Sequence, residues 1–191
     1  MRLFIAISLP EKVKNEIETA QNELRRALPI GSVRWTKREQ IHLTLKFLGE
    51  VPADQTEALT QSIQEACKKF PPLRLRAARI GFFPNANLPR VIWAGVNDRA
   101  GGLPTLQFKI ESAVKEFGTQ GPEKTFIGHI TLGRAQNLKR PQAEILARLA
   151  TGMTARVFGE WTAGKVEIIR SQLSSGSPQY SQLASVPLAG T

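Results

Sequence analysis

The sequence predicts an α+β fold with antiparallel sheets. Strand candidates outnumber helical stripes, several strands are joined by short, turn-rich connections, and the order helix, histidine strand, helix occurs twice. The strand excess and short connections favour this class over a doubly wound parallel sheet, and the absence of a strand–GxGxxG–helix or phosphate-loop lysine motif means that a nucleoside-triphosphate machine is not indicated.

Leu3 to Leu9 alternates as a strand, and Pro10 supplies the fixed φ of a helical first turn. From Glu11, the residues Val13, Ile17, Ala20, Leu24 and Leu28 recur at steps of three and four, which makes an amphipathic helix stopped by Pro29 and Gly31. Gln40 to Gly49 reads as a strand with Ile41, Leu43 and Leu45 on one face and His42, Thr44 and Lys46 on the other. After Gly49 and Pro52, a second helix carries Leu59, Ile63, Ala66 and Phe70. Leu73 to Phe83 and Arg90 to Val96 form two strands joined by a turn at Pro84–Pro89. Leu103, Leu106, Ile110, Val114 and Phe117 make a third helical stripe, closed by Gly118 and Gly121. Phe126 to Arg134 is the second histidine strand, with His129, Thr131 and Gly133 on one face. A short helix over Pro141 to Leu149, strands over Met153 to Trp161 and Ala163 to Ser171, and a last strand through Tyr180, Leu183 and Val186 complete the chain.

At 191 residues with 41% hydrophobic content, a sizeable core can form. No apolar run is long enough to span a bilayer, and the apolar start at Leu3–Ile7 breaks too soon at Ser8 and Pro10 for a secretory signal. A cytoplasmic protein without a membrane partner is expected. Cys67 is alone, which excludes an intrachain disulfide and a cysteine metal cluster, and it reads as a buried, inert thiol. The formal charge of +10 favours polyanions and phosphorylated ligands over neutral substrates, without specifying a reaction.

Both histidines of the chain sit in the same tetrapeptide, His42-Leu43-Thr44-Leu45 and His129-Ile130-Thr131-Leu132. One such tetrapeptide is ordinary strand sequence; two that use every histidine point to a working pair. On a strand, residues i and i+2 project to one side about 7 Å apart. The imidazole can then reach a reacting oxygen while the threonine hydroxyl donates to a phosphate oxygen. Two such strands face to face would put one imidazole on each side of a phosphorus, one as general base and the other as general acid. Two histidines without a nearby carboxylate set make a poor metal site, so neither metal nor cofactor is expected. The bland alternative is a pair of half-exposed strand residues that never meet.

Further candidates are weaker. Lys46 shares the His42 face by strand period, whereas Arg134 falls opposite His129 unless a bulge intervenes; both are possible phosphate partners. Arg34 and Trp35 could offer a cation and a stacking plane to a base, although Trp35 equally fits interface packing. Phe82, Phe83 and Trp93 read as core. Arg74, Arg76 and Arg79 form a solvated face or part of an RNA track, and the turn at 175–178 precedes Tyr180, a further base-contact candidate.

Taken together, these motifs resemble the two-histidine (2H) phosphoesterase superfamily, in particular the RNA 2′,3′-cyclic phosphodiesterases once called 2′-5′ RNA ligases. The resemblance covers essentially the whole chain. It is carried by Arg2-Leu3-Phe4-Ile5-Ala6, Val33-Arg34-Trp35, His42 to Gly49, Phe126 to Arg134, Ser171-Gln172-Leu173 and Pro178-Gln179-Tyr180-Ser181-Gln182-Leu183. Gly128 departs from the family's usual proline and Ser177 from its usual glycine; the first is expected to loosen the approach to His129. The resemblance implies two α/β lobes about a pseudo-twofold axis, each with an antiparallel sheet flanked by helices, interlocked into a single compact domain over 1–191. The His42 strand would come from one repeat and the His129 strand from the other. It further implies metal-independent hydrolysis of an RNA terminal 2′,3′-cyclic phosphate to a 2′-phosphate, with His42 as proton donor and His129 as proton acceptor. Thr44, Thr131 and Arg134 would bind phosphate, and ligation of tRNA halves is a related reaction. A monomer is expected. Competing readings are hydrolysis of 2′-5′ linked oligonucleotides or small cyclic nucleotides, an esterase for non-nucleotide phosphates, and non-catalytic RNA binding.

Overall fold

All strand pairing is antiparallel, as the short connections predicted. The computed structural model describes residues 1–121, 125–173 and 178–190. In chain order its elements are β1 (Arg2–Ser8), α1 (Glu11–Arg26), β2 (Val33–Trp35), β3 (His42–Glu50), α2 (Thr56–Cys67), β4 (Leu73–Phe83), β5 (Val91–Asp98), α3 (Gly102–Ala113), β6 (His129–Ala135), α4 (Arg140–Gly152), β7 (Val157–Ala163), β8 (Lys165–Gln172) and β9 (Gln179–Pro187).

The two expected sheets are joined into one. The strands run in the order β7-β4-β5-β6-β3-β1-β8-β9, with β2 added to β6. At the middle, β6 and β3 share the single register pair Leu43↔Ile130, so a five-stranded half that includes β2 and a four-stranded half meet at the histidine strands. Helices α1 and α4 pack against β7 and β4, and α2 and α3 against β9 and β3. Thus α1 follows β1 in sequence but packs on the other half, and α3 likewise follows β5 but packs on β3. Helix residues Ile17, Ile63, Ile110 and Leu146 and the strand residues that face them, among them Ile5, Leu43, Leu75 and Ile130, form one continuous core. Burying each such side chain contributes roughly 1.5–3 kcal/mol, so this face fixes the strand register.

Several boundaries differ from expectation. Leu28 lies past the end of α1, while Val114 and Phe117 lie past the end of α3; all three still pack on the core. The second histidine strand begins only at His129, because residues 126–128 approach it without strand structure. Strand β2 has no counterpart in the sequence reading: three residues carry no readable alternation, and their pairing with β6 is a purely tertiary event. The turn expected at 175–177 lies outside the described residues. Among the described residues no helix is long and apolar enough to cross a membrane.

Candidate active site

The site is built by two matching β-bulges. Between β1 and β3 the register passes from Ala6↔Thr44 to Ile5↔Lys46, leaving Leu45 as an extra residue. Between β5 and β6 it passes from Trp93↔Thr131 to Ile92↔Gly133, leaving Leu132 extra. Each bulge therefore sits at the third residue after a histidine and reverses the facing of the two residues that follow it; on β3 a second register shift comes at Leu48. Before the bulge, His42 and Thr44, and His129 and Thr131, project away from the helix-covered core. Given the Leu43↔Ile130 pair, antiparallel register sets His42 across from Thr131 and Thr44 across from His129. Two imidazoles and two hydroxyls thus stand diagonally on one face, all four residues half-buried.

The bulges decide the two disputed cations. Arg134 turns to the histidine side and lines the cleft with His42, Thr44 and Thr131. Lys46 turns the other way, against the expectation that it shares the His42 face. Its side chain is 3% exposed and its ammonium is held by Glu111 of α3 at 2.6 Å and by the Gly121 carbonyl at 2.6 Å. It is not a phosphate partner in this geometry. Gly133 occupies the matching inward position on β6, where a Cβ would lie 2.7 Å from Val33 Cγ1 and 3.1 Å from Trp35 Cε3.

Each imidazole lies in an aromatic niche. The His42 ring stacks on Phe4 at 4.8 Å and meets the edge of Tyr180 at 5.5 Å. The His129 ring meets Phe83 edge-on at 5.0 Å, with Trp93 at 6.2 Å. Phe83 and Trp93, expected in the core, are therefore only partly buried and form the wall beside His129. Burial pushes the His42 imidazolium down to about 4, opposed by a hydrogen bond to the Gln40 backbone and reinforced by His129. Burial also lowers His129, opposed by the Ile127 backbone and reinforced by Arg134. The Nδ1–H of neutral His129 donates to the Ile127 carbonyl at 2.7 Å, which leaves Nε2 free as a base.

Arg34, Trp35 and Tyr180 line the same cleft, brought there by β2 and β9. Arg25 lies 5.7 Å over the Trp35 ring, so one indole face is already occupied by a cation. Burial raises the Tyr180 phenol, while the charges of Arg134 and Arg2 oppose that rise. The start of β9 is tied to the approach of β3 by Gln40 Nε2, which donates to the Pro178 carbonyl at 2.6 Å. Burial pushes the Cys67 thiol up to about 11, consistent with an inert thiol.

Gly128, where the resemblance leads one to expect a looser approach to His129, packs closely against β5. A Cβ there would lie 2.5 Å from the Val96 carbonyl, and the Gly128 carbonyl accepts from Val96 N–H at 2.8 Å. Glycine permits this close backbone contact, and Ser177 lies outside the described residues. Sequence reasoning missed Phe4, buried behind the His42 ring, and Phe47, which lines the cleft. Phe4 had a signal in its Arg2-Leu3-Phe4 motif, but Phe47 reaches the cleft only through the bulge. Among the described residues no group of three His, Cys, Asp or Glu side chains is arranged to hold a metal ion.

Comparison with known proteins agrees with this architecture. Residues 7–93 match the family model described as LigT like Phosphoesterase. An RNA 2′,3′-cyclic phosphodiesterase of Thermus thermophilus is 32% identical over 196 residues, covering 100% of this chain and 91% of its own length. A protein of the same name from Methanocaldococcus jannaschii is 29% identical, covering 94% and 96%. A solved structure from Thermus thermophilus superposes with a TM-score of 0.80 at 30% identity, covering 100% and 99% of the two chains. Escherichia coli LigT, solved with 3′-AMP, shares the fold with a TM-score of 0.75 at 24% identity, covering 98% and 97%. The paired histidine strands, their cleft and a relative of this similarity over the full chain lead to one conclusion: the chain belongs to the LigT-like phosphoesterase family.

Proposed function

We propose that this protein hydrolyses the 2′,3′-cyclic phosphate at an RNA end to a 2′-phosphate, by histidine acid–base chemistry without a metal. The observation that carries the reading is the diagonal array of His42, Thr131, Thr44 and His129 on one face, with Arg134 turned toward it by the β6 bulge. Nε2 of His129 takes the proton of the attacking water. His42, as imidazolium, gives a proton to the departing 3′ oxygen, so the P–O3′ bond breaks as the P–O bond to water forms. Thr44, Thr131 and Arg134 stabilise the charge gathering on the phosphoryl oxygens. Burial keeps both imidazoles neutral in the free protein at pH 7. The anionic phosphodiester favours the imidazolium, so the acid is charged when substrate occupies the cleft. Trp35, Arg34 and Tyr180 contact the terminal base. A monomer acting on cytoplasmic RNA, tRNA halves among its substrates, completes the proposal, and the +10 charge supports a polyanionic partner.

The test is phosphorus NMR of an RNA 2′,3′-cyclic phosphate end with wild type and H42A, in chelator. The expected result is conversion to 2′-phosphate alone by wild type and none by H42A. An unchanged cyclic resonance with wild type would overturn the reading.

A further inference from the structure

Helix α1 buries one polar side chain in an otherwise apolar stripe: Gln21 is 2% exposed, between Ile17 and Leu24. A buried carboxamide must find partners, and this one finds two. Its Nε2 donates to the Leu132 carbonyl at 2.8 Å and to the Thr36 carbonyl at 3.0 Å. Leu132 is the extra residue of the β6 bulge, and Thr36 ends the segment that pairs β2 with β6, its own N–H donating to the Leu132 carbonyl at 2.9 Å. The carboxamide thus pins both strands where the facing of β6 reverses. On the other half, Gln107 of α3 is also buried, and its Nε2 lies 3.5 Å from the carbonyl of Leu45, the extra residue of the β3 bulge. Each bulge therefore has a glutamine from the helix beneath it.

We propose that Gln21 is a positioning residue: by clamping the Leu132 and Thr36 carbonyls it holds the β6 bulge in the form that turns Arg134 into the cleft. It touches no substrate and acts through Arg134. An apolar side chain of similar length would take this donor from the Thr36 carbonyl and leave the Leu132 carbonyl with the Thr36 N–H alone, unlinking the two strands and allowing β6 to relax toward unbroken register, which faces Arg134 away from the histidines.

The kinetic role rests on the proposed phosphodiesterase reading; the structural role does not. The experiment compares kcat/KM on a 2′,3′-cyclic phosphate RNA end for wild type, Q21M, R134A and the double variant, with a crystal structure of Q21M. Q21M is expected to lose about tenfold, R134A more, and the double variant no more than R134A alone, because the clamp has nothing left to aim. The Q21M structure is expected to show Arg134 displaced from the cleft. Multiplicative losses in the double variant, or Arg134 unmoved in that structure, would overturn the inference. If Q21M does not fold, Q21L replaces it; failure of both to fold would also overturn it, by assigning Gln21 to core stability. Inactivity of wild type toward cyclic phosphate would instead overturn the proposed reaction, leaving the Q21M structure to decide the clamp.

Discussion

Strands β3 and β6 carry the same plan with different residues after the bulge. Both place a histidine and a threonine on the cleft face, then insert one leucine, then send the next side chain inward. On β3 that inward residue is Lys46 and the outward one Phe47; on β6 they are Gly133 and Arg134. The half that carries His42 therefore offers the cleft an aromatic ring that is 48% exposed, and the half that carries His129 offers a cation. A duplicated backbone thus repeats the histidine and threonine on both halves, while single positions beyond the bulge give one half a cation and the other an aromatic ring; in the proposed reaction these become the acid–base pair, the phosphate contact and an apolar contact.

The symmetric part should break symmetrically. H42A and H129A are each expected to lower kcat about a thousandfold while leaving thermal unfolding near wild type, since each removes one proton-transfer group. Full activity in either would mean that the pair does not act as a pair. The asymmetric part should break on one side only. R134A is expected to lose about a hundredfold in kcat/KM, from a lost charge-assisted contact to phosphate, and F47A less than about fivefold. Equal losses would erase the division between the halves.

A stability measurement sharpens the inward positions. Lys46→Met leaves Glu111 largely buried without its cation and is expected to cost about 3 kcal/mol in urea unfolding, whereas K46M/E111L recovers much of that. Activity of the folded double variant close to wild type is expected, because Lys46 faces the helix and not the substrate. A hundredfold loss there would return Lys46 to the phosphate site.

The pH dependence is the finest test. Both imidazoles are lowered by burial, His42 to about 4, so kcat/KM should pass through a maximum below the ordinary imidazole value of about 6.5. It falls on the acid side as the base protonates and on the alkaline side as the acid loses its proton; a plateau persisting to high pH would break the scheme. The same shift acts on stability. Between about 6.5 and about 4 the unfolded chain binds a proton at His42 that the folded chain does not, so stability falls as pH drops through that window and is unaffected above it. H42N should show a shallower decline.

The helices, most strands, the antiparallel class and the paired histidine tetrapeptides are legible in the amino-acid sequence. These depend on local periodicity and on which face is apolar, and the buried faces of Leu43, Leu45, Ile130 and Leu132 hold as read. Tertiary structure decided which side Lys46 and Arg134 take, although for Arg134 the family resemblance points to the cleft against the strand period. A period of two holds only in an unbroken ladder, and nothing in Leu45 or Leu132 announces that it will be left unpaired by a neighbouring strand. It also decided that β2 exists, that Gly128 meets Val96, and that Phe83 and Trp93 wall His129. Each of these is a contact between segments far apart in the chain, where pairing and packing, not local preference, set the outcome.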